Sequence, residues 1–551
     1  MSTDQITART PAVTTFEPVP DAISDLPMIS EAPKKSGAKG GSSQLFGRGL
    51  LYVVVWSLQI VAGVVVSPIL AHVLGPEEFG RLASVIALHQ VLTVVALLGL
   101  DQALVLQRAE DGNERSARGL VAVGIVISLL VTGVIFITGP LWSETLGFDG
   151  FSTLVVAAIL WTAPGAAVQV MLSLLLAQDR LRAFTFVSVF SALGGQIVGI
   201  ALLLLVHNDA TTYAWGGVVC QFTAMAVGIA FTRPSIRGLF DWETAWRAMR
   251  LGVPLAMSGL AFFVLNAGDR IVIQRDLGAA EVGRYQVAYT VGYVVVLLLT
   301  MTSSAWAPHF AALRDEVQRW ALAAQSRDAL YRMLIPIILG VTLAAPVALR
   351  IFAPPSFEPE SLVIVVFLVA MSAFPVAASG ASGRILLTLR RGKALAVIAG
   401  VAAVVNIALN IVFVPLLGVA GAALATFLSF GLLAFLQLLS LPETPVWRSP
   451  PVRLVLGIVA GVCAAAGSVL LPQTPFWNIV RIVLGLLCLP WFVIQLRNAR
   501  RGPKDDALLQ PMSGRHRRQR RSIHQALRAL GTPAHKTSVH QMSVQPTKEP
   551  S

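Results

Sequence analysis

LGPEEFGR, at residues 74–81, returns as LGAAEVGR at residues 277–284, and the two stretches are 203 positions apart. A second matched pair, LLLAQDRLRA from residue 174 and ILLTLRRGKA from residue 385, is 211 positions apart. One short insertion in the second copy, around residues 314–332, reconciles the two offsets. A repeat of about 200 residues in an apolar chain indicates a duplicated transporter half.

The composition is that of a membrane protein. Of 551 residues, 55% are hydrophobic and 13% are charged, and the mean hydropathy is +0.72, which is more apolar surface than one soluble core can bury. The formal net charge is +13, but residues 497–551 alone hold 12 Lys and Arg against 3 Asp and Glu. Because the rest of the chain is nearly balanced, no nucleic-acid partner is predicted.

The sequence predicts neither a cofactor nor a metal site. Cys220, Cys463 and Cys488 lie in apolar runs without metal-ligand spacing, so we interpret them as small core residues. No GxxxxGK[ST] loop that would hold a nucleotide is present. Direct ATP-driven pumping by this chain is therefore not expected.

Apolar runs long enough to cross a bilayer of about 30 Å predict an all-α integral membrane protein with about fourteen transmembrane helices. The predicted spans are 49–71, 82–106, 119–141, 151–177, 184–206, 211–231, 251–273, 285–307, 330–352, 361–389, 394–415, 419–441, 454–472 and 476–496. They form two six-helix bundles, 49–231 and 251–441, joined by an inner linker at 232–250 and followed by two additional helices within 452–497. Because six is even, both repeats have the same orientation.

Loop charges predict that both termini are cytoplasmic in a cell (plasma) membrane protein. Loops assigned to the inside carry 18 Lys and Arg, whereas loops assigned to the outside carry three, and positive charge is normally retained inside. Residues 1–48 are predicted to be a disordered cytoplasmic tail, and residues 498–551 a basic cytoplasmic tail. The outer loops, of about a dozen residues or fewer, are too short for a catalytic domain, so no enzyme is predicted.

The repeated LGxxExGR, together with GLDQALV at 99–105, GDRIVI at 268–273 and GVAGAALAT at 418–426, resembles the Wzx-type polysaccharide flippases of the MOP (multidrug, oligosaccharidyl-lipid, polysaccharide) exporter superfamily. The resemblance covers residues 45–440. It implies two bundles that meet in a V around a central cationic cavity. It also implies alternating access that moves a polyprenyl-pyrophosphate-linked oligosaccharide to the outer leaflet. The last two spans resemble the extra pair of fourteen-helix members, which include lipid II flippases.

An anionic pyrophosphate needs a cation inside the membrane, and arginine serves best because its guanidinium fork fits phosphate oxygens. Arg384 is the leading candidate for a cavity residue, since it lies in an apolar span six residues before Arg390 of the RRGK inner loop. The alternative is that Arg384 extends to the inner headgroups. The sequence leaves both interpretations open.

Two further candidates, Asp269 and Asp101, are acidic. Asp269 and its neighbour Arg270 lie late in the seventh span, about one turn after Asn266, which is also a candidate. Asp269 and Arg270 are predicted to form either an intramembrane pair at the substrate or an interfacial pair that fixes helix ends. Asp101 lies in the inner end of the second span, seven residues before Arg108. Because an unpaired carboxylate is unfavourable there, we expect a basic partner in a salt bridge, with proton coupling as the alternative.

Four cations are predicted at the outer mouth. They are the repeat mates Arg81 and Arg284, and the repeat mates His72 and Arg275. One interpretation is a ring that guides substrate. The favoured interpretation is that each LGxxExG forms a tight outer turn, in which Glu78 or Glu281 pairs locally.

Two functions follow from these features. The predicted one is a lipid-linked oligosaccharide flippase for cell-surface polysaccharide biosynthesis; the alternative is an ion-coupled small-molecule or multidrug antiporter of the same superfamily. Antiporters of that type resemble chains with twelve spans, whereas fourteen spans are predicted here. The span count therefore favours the flippase. The predicted partners are the lipid-linked oligosaccharide, membrane lipids and polysaccharide polymerase or ligase machinery.

Overall fold

The computed structural model describes residues 41–304, 310, 313, 315–442 and 449–500, with side chains described from residue 62 to residue 498 apart from Ser304. Residues 1–40 and 501–551, which hold most of the two predicted tails, lie outside this part. The secondary structure within it is helical, and no strand occurs among the described residues.

The first repeat contains seven helices. They are α1 (Gly41–Leu97), α2 (Leu100–Asp111), α3 (Glu114–Trp142), α4 (Thr153–Ala177), α5 (Leu181–Val189), α6 (Gly195–Leu205) and α7 (Ala210–Thr232). A π-helical segment, Phe190–Gly194, joins α5 to α6, and a 3₁₀ segment, Ile236–Phe240, follows α7.

The second repeat is longer and is followed by a helical pair. Its helices are α8 (Trp242–Leu277), α9 (Ala279–Ser304), α10 (Glu316–Phe352), α11 (Val363–Met371), α12 (Ala373–Thr388), α13 (Gly392–Leu417) and α14 (Val419–Leu439). The pair is α15 (Val452–Val469) and α16 (Pro475–Arg500). Both α15 and α16 pack against α10.

Thirteen helical segments of the described chain are long and apolar enough to cross a membrane, against fourteen predicted spans. The difference lies in the first segment, Ala62–Asp111, which has 50 residues. A helix of that length measures about 75 Å, more than twice a hydrocarbon core of about 30 Å. The backbone leaves the helical conformation at Gly75 (φ 73°, ψ 175°), between the first two predicted spans. The chain is therefore a multi-pass membrane protein.

The two repeats share unusual backbone conformations at matched positions. Gly278, the repeat mate of Gly75, has φ 92° and ψ 173°. Asp179 and Arg390, which are 211 positions apart, have φ of 60° and 57°. Positive φ is uncommon at residues other than glycine, so its recurrence at the second offset supports the duplication.

Capping side chains extend two helices into segments predicted to be inner loops. α8 begins at Trp242, inside the predicted linker, where the Asp241 carboxylate accepts hydrogen bonds from the Thr244 hydroxyl (2.7 Å) and amide (3.1 Å). These bonds lower the pKa of Asp241. α10 begins in the same way at Glu316, because Asp315 accepts a hydrogen bond from the Val317 amide. Much of the chain between spans is thus helical.

α8 connects the two repeats. Ala248, in its second turn, belongs to a buried cluster otherwise formed by α2, α3 and α4. Further along, Ala261 and Leu265 are buried against α13 and α14. α8 therefore begins on the first repeat and ends within the second.

The GQIVG stretch at residues 195–199 has the GxxxG spacing that predicts close helix packing. A Cβ atom added to Gly216 of α7 would lie 2.6 Å from the Cα of Gly199, which is too close for any side chain. The prediction is confirmed, since α6 and α7 meet backbone to backbone.

Candidate functional site

The glycines of the repeated motif face each other across the two repeats. We call the ends of the helices at residues 74–81 and 277–284 the motif end, and the opposite ends the far end. A Cβ atom on Gly80 would lie 1.7 Å from the Ala279 carbonyl oxygen, and one on Gly283 would lie 2.1 Å from the Pro76 carbonyl oxygen. Since Pro76 and Ala279 are themselves repeat mates, the contact is reciprocal, and only glycine permits it.

Side chains close the motif end around these glycines. The Ser84 hydroxyl donates to the Gln274 side-chain oxygen at 2.9 Å, and the Gln274 amide donates to the Gly147 carbonyl at 3.1 Å. The rings of Phe79 and Phe357 meet edge to face, with centroids 6.0 Å apart. One buried apolar cluster includes residues of both repeats at this end. The repeats are therefore joined at the motif end by backbone, apolar and hydrogen-bond contacts.

Arg81 is neutralised within its own motif. Its guanidinium contacts Glu77 at 2.9 Å and Glu78 at 3.2 Å, and it also reaches Asp149 in the next loop at 3.4 Å. The second Glu78 oxygen accepts a hydrogen bond from the Ala210 amide at 2.8 Å, at the first residue of α7. This is the local pairing that the motif predicts, extended to two neighbouring segments.

Arg284 repeats this arrangement in the second half. It contacts Glu281 at 2.7 Å and the loop carboxylate of Glu358 at 2.8 Å. The other two predicted cations are exposed: the His72 ring bonds the Pro68 carbonyl at 2.9 Å, and Arg275 lies 3.9 Å from Asp276. The contacts therefore support the interpretation of a tight turn over that of a cationic ring.

Arg270 is buried in a polar cluster where α8 meets α9. One terminal nitrogen donates to the Asp269 carboxylate and to the Asn266 carbonyl, both at 2.6 Å, and Nε donates to the Gln286 side-chain oxygen at 3.1 Å. The guanidinium also lies 3.9 Å from the centroid of the Tyr289 ring, a favourable cation–π distance. Its charge is thus balanced by groups of the protein itself.

Asp269 is equally well bonded and joins a third helix. It is 1% exposed and accepts hydrogen bonds from the Tyr285 hydroxyl and, at 3.4 Å, from the Thr426 hydroxyl of α14. Asp269 and Arg270 therefore form a buried ion pair. Its partners belong to α8, α9 and α14, and their bonding suits a role in fixing these helices.

Arg384 lies apart from this cluster. Its terminal nitrogen donates to the Ser303 carbonyl at 3.1 Å, and its guanidinium lies 5.5 Å from the centroid of the Phe310 ring. No carboxylate pairs with it among the described residues. Gln286 and Ser303, which contact the two arginines, are 17 residues apart on α9, about 25 Å along its axis. The structure therefore keeps Arg270 and Arg384 well separated.

The prediction that Asp101 has a basic partner is wrong for the described part of the chain. The Oδ1 atom of Asp101 is buried and unpartnered, as is one terminal nitrogen of Arg108. The two residues share a face of α2 but are seven positions, about 10.5 Å, apart. Asp101 instead lies in the first turn of α2, after a break at Leu98 (φ 48°) and Gly99 (φ 70°). There its charge faces the positive end of the helix dipole.

Three side chains that were not among the predicted site residues complete the Arg270 cluster, namely those of Tyr285, Gln286 and Tyr289. A signal was present, because all three are polar side chains within the first five residues after the second motif. Among the side chains described, no group of three or more His, Cys, Asp or Glu is placed to hold a metal ion.

Comparison with known proteins identifies related sequences. Residues 69–358 match the profile of a family described as "Polysaccharide biosynthesis protein". The succinoglycan biosynthesis transport protein ExoT of Rhizobium meliloti is 24% identical over 292 residues, which is 52% of this chain but only 58% of that relative. The probable flippase AglR of Haloferax volcanii is 24% identical over 455 residues, which is 78% of this chain and 90% of AglR.

Solved structures share the fold. An inward closed conformation of the lipid II flippase MurJ superposes with a TM-score of 0.60 at 14% identity, over 82% of this chain and 99% of that one. An inward-facing multidrug resistance transporter of the MATE family, in the MOP superfamily, superposes with a TM-score of 0.54 at 14% identity, over 74% of this chain and 95% of that one. At this identity the likeness establishes the fold alone.

Proposed function

This chain belongs to the polysaccharide biosynthesis protein family, and on that premise we propose that it moves a polyprenyl-pyrophosphate-linked oligosaccharide from the inner to the outer leaflet. The relatives named as a transport protein and a probable flippase support a transporter of this kind. The chain acts by alternating access between its two repeats, 49–231 and 251–441. It is a membrane transporter, and the lipid-linked oligosaccharide that it delivers is the substrate of polysaccharide polymerase or ligase machinery.

The observation that carries the proposal is the reciprocal glycine contact at the motif end. Gly80 and Gly283 bring the two repeats together backbone to backbone, at a surface that a rigid-body movement of one repeat can separate. A transporter that opens alternately to each side needs an end that is tightly packed when closed and can separate when it opens. We assign the motif end to the outer side and both termini to the cytoplasm, in agreement with the loop charges.

Arg384 is the substrate contact in this proposal. It lies within the membrane-spanning part, has no carboxylate partner among the described residues, and retains donors that can hold phosphate oxygens. Arg270 has a different role, because Asp269 neutralises it and three helices enclose the pair. The exposed His72 and Arg275 remain candidates for guiding substrate at the outer mouth.

The test is transfer of a lipid-linked oligosaccharide in proteoliposomes. Arg384→Ala removes the charged donors and is expected to slow transfer on the order of 10–100-fold, the equivalent of one or two charge-assisted hydrogen bonds. Arg384→Lys is expected to restore part of the rate, because it keeps the charge without the fork. Arg390→Asn serves as the control, since that arginine is exposed and its φ of 57° suits asparagine.

The antiporter is the competing function, and the same preparation distinguishes it. If Arg384→Ala transfers the lipid-linked oligosaccharide at the wild-type rate while ion-driven uptake of a cationic drug changes, the flippase proposal fails.

A further inference from the structure

A second polar site lies at the far end of the first repeat, away from the contacts between repeats. A cavity of about 550 Å³ opens there. Its lining includes Glu114, Arg118, Gln178, Arg180 and Arg233 together with the last turn of α7. With three arginines and one glutamate, these side chains carry a formal charge of +2.

Two of the arginines cap α7. Arg118 donates through Nε (2.8 Å) and a terminal nitrogen (2.5 Å) to the Arg233 carbonyl, and Arg180 donates to the Phe231 carbonyl at 2.6 Å. The side chain of Arg233 has no bonding partner among the described residues. Each arginine therefore retains donors for which the described residues provide no acceptor.

The second repeat shows how many of these arginines the capping of the helix end requires. Arg391, the mate of Arg180, donates to the Ser440 carbonyl at 2.7 Å at the end of α14. At the 211-position offset, however, Leu389 takes the place of Gln178. Among the described residues, one arginine contacts the matching helix end, whereas three arginines line the cavity of the first repeat. The additional arginines of the first repeat therefore call for another explanation.

An apolar groove of about 570 Å³ lies beside the cavity, along α5. It is lined mainly by Leu181, Phe186, Val189 and Phe190. Phe186 is 54% exposed, and its ring meets the Phe231 ring of the cavity edge to face, with centroids 6.2 Å apart. The cationic cavity and the apolar groove are thus neighbours, the arrangement that an amphiphile with an anionic head requires.

We propose that this pair of surfaces binds an anionic phospholipid of the adjacent leaflet, with its phosphate in the arginine cavity and an acyl chain along α5. Guanidinium groups hold phosphate oxygens through short, charge-assisted bonds, and arginines at helix ends recognise anionic headgroups. The site is independent of the flippase proposal, because it lies within one repeat and shares no residue with the Arg384 region.

The experiment is a native mass-spectrometry titration of the full chain with phosphatidylglycerol and with phosphatidylcholine. The wild type is expected to bind phosphatidylglycerol more tightly. Arg233→Asn should weaken that binding about tenfold, the equivalent of one charge-assisted bond. Asparagine tolerates the φ of 47° at this position, and the Arg233 side chain holds no part of the fold, so the variant should fold normally.

Arg390→Asn is the matched control, because Arg390 is also an exposed arginine with positive φ but lies outside the cavity. Equal affinity for the two lipids, or an unchanged affinity in Arg233→Asn, would overturn the proposal. Phe186→Ser should weaken phosphatidylglycerol binding through the groove. If that variant binds normally and inorganic phosphate displaces the lipid completely, the cavity is a site for free anions and the lipid assignment is wrong.

Discussion

Adding one methyl group at the motif end should shift the protein towards its outward-open state. In Gly80→Ala, the new Cβ would lie 1.7 Å from the Ala279 carbonyl oxygen and 2.7 Å from the Gly283 amide nitrogen. Carbon and oxygen atoms pack at about 3.2–3.5 Å, so the repeats must separate locally by about 1.5 Å. Both atoms that the new Cβ would contact belong to the backbone, so no side-chain rotation can relieve the clash.

The size of the shift follows from this clash. Overpacking by one methyl group typically costs about 1–3 kcal/mol, and here the cost falls on the closed state alone, because the surfaces part when the end opens. An energy difference of this size changes a conformational equilibrium about 5–150-fold. The ratio of open to closed protein should rise by that factor, and the open fraction rises equally while it is small.

Labelling of a single cysteine measures the open fraction. Ser84→Cys, in a chain whose three native cysteines are replaced, places a thiol at a side chain that is 0% exposed in the closed end. An impermeant reagent added outside should label it about 5–150-fold faster in the Gly80→Ala background. Gly133→Ala is the control, because a Cβ there meets no atom within 4 Å.

Equal labelling rates in the Gly80→Ala, Gly133→Ala and parent proteins, all inserted and folded, would contradict this prediction. Such a result would mean that the glycine contact does not govern opening of this end.

Three other outcomes are expected. Arg270→Ala should lower stability by about 3–5 kcal/mol, because it leaves the buried Asp269 charge uncompensated; thermal unfolding in detergent measures this loss, and a melting temperature equal to that of the wild type would contradict it. Arg284→Ala should lower the melting temperature more than Arg81→Ala, because the Arg284 side chain is 18% exposed and that of Arg81 is 37% exposed; the reverse order would contradict this. Asp101→Asn should leave folding and transfer unchanged, since Asp101 has no basic partner in the described chain, and a loss of transfer would instead favour proton coupling.

The sequence predicts the features that depend on residues close together in the chain. The repeat offset locates the matched turns at Gly75 and Gly278, and the motif glutamates identify the local partners of Arg81 and Arg284. Apolar runs place the spans well, although they do not show that the first two continue through a kink at Gly75.

Contacts between distant segments could not be predicted in this way. The partners of Asp269 come from α9 and α14, and nothing in the spacing of the seventh span indicates them. The expectation of a basic partner for Asp101 was wrong because the cost of burying a carboxylate does not show which side chains the fold brings close to it. The pairing of Gly80 with the second motif follows only when both repeats are placed in space, although each glycine is visible in its motif.

A protein cross-linked at the motif end shows whether that end must open during transfer. Ser84 and Gln274, whose side chains are 2.9 Å apart, are replaced by cysteine in a chain without its native cysteines, and a short reducible cross-linker joins them. The account predicts that cross-linking stops transfer of the lipid-linked oligosaccharide and that reduction restores it, while either single cysteine variant is unaffected. Continued transfer by fully cross-linked protein would contradict alternating access through this end.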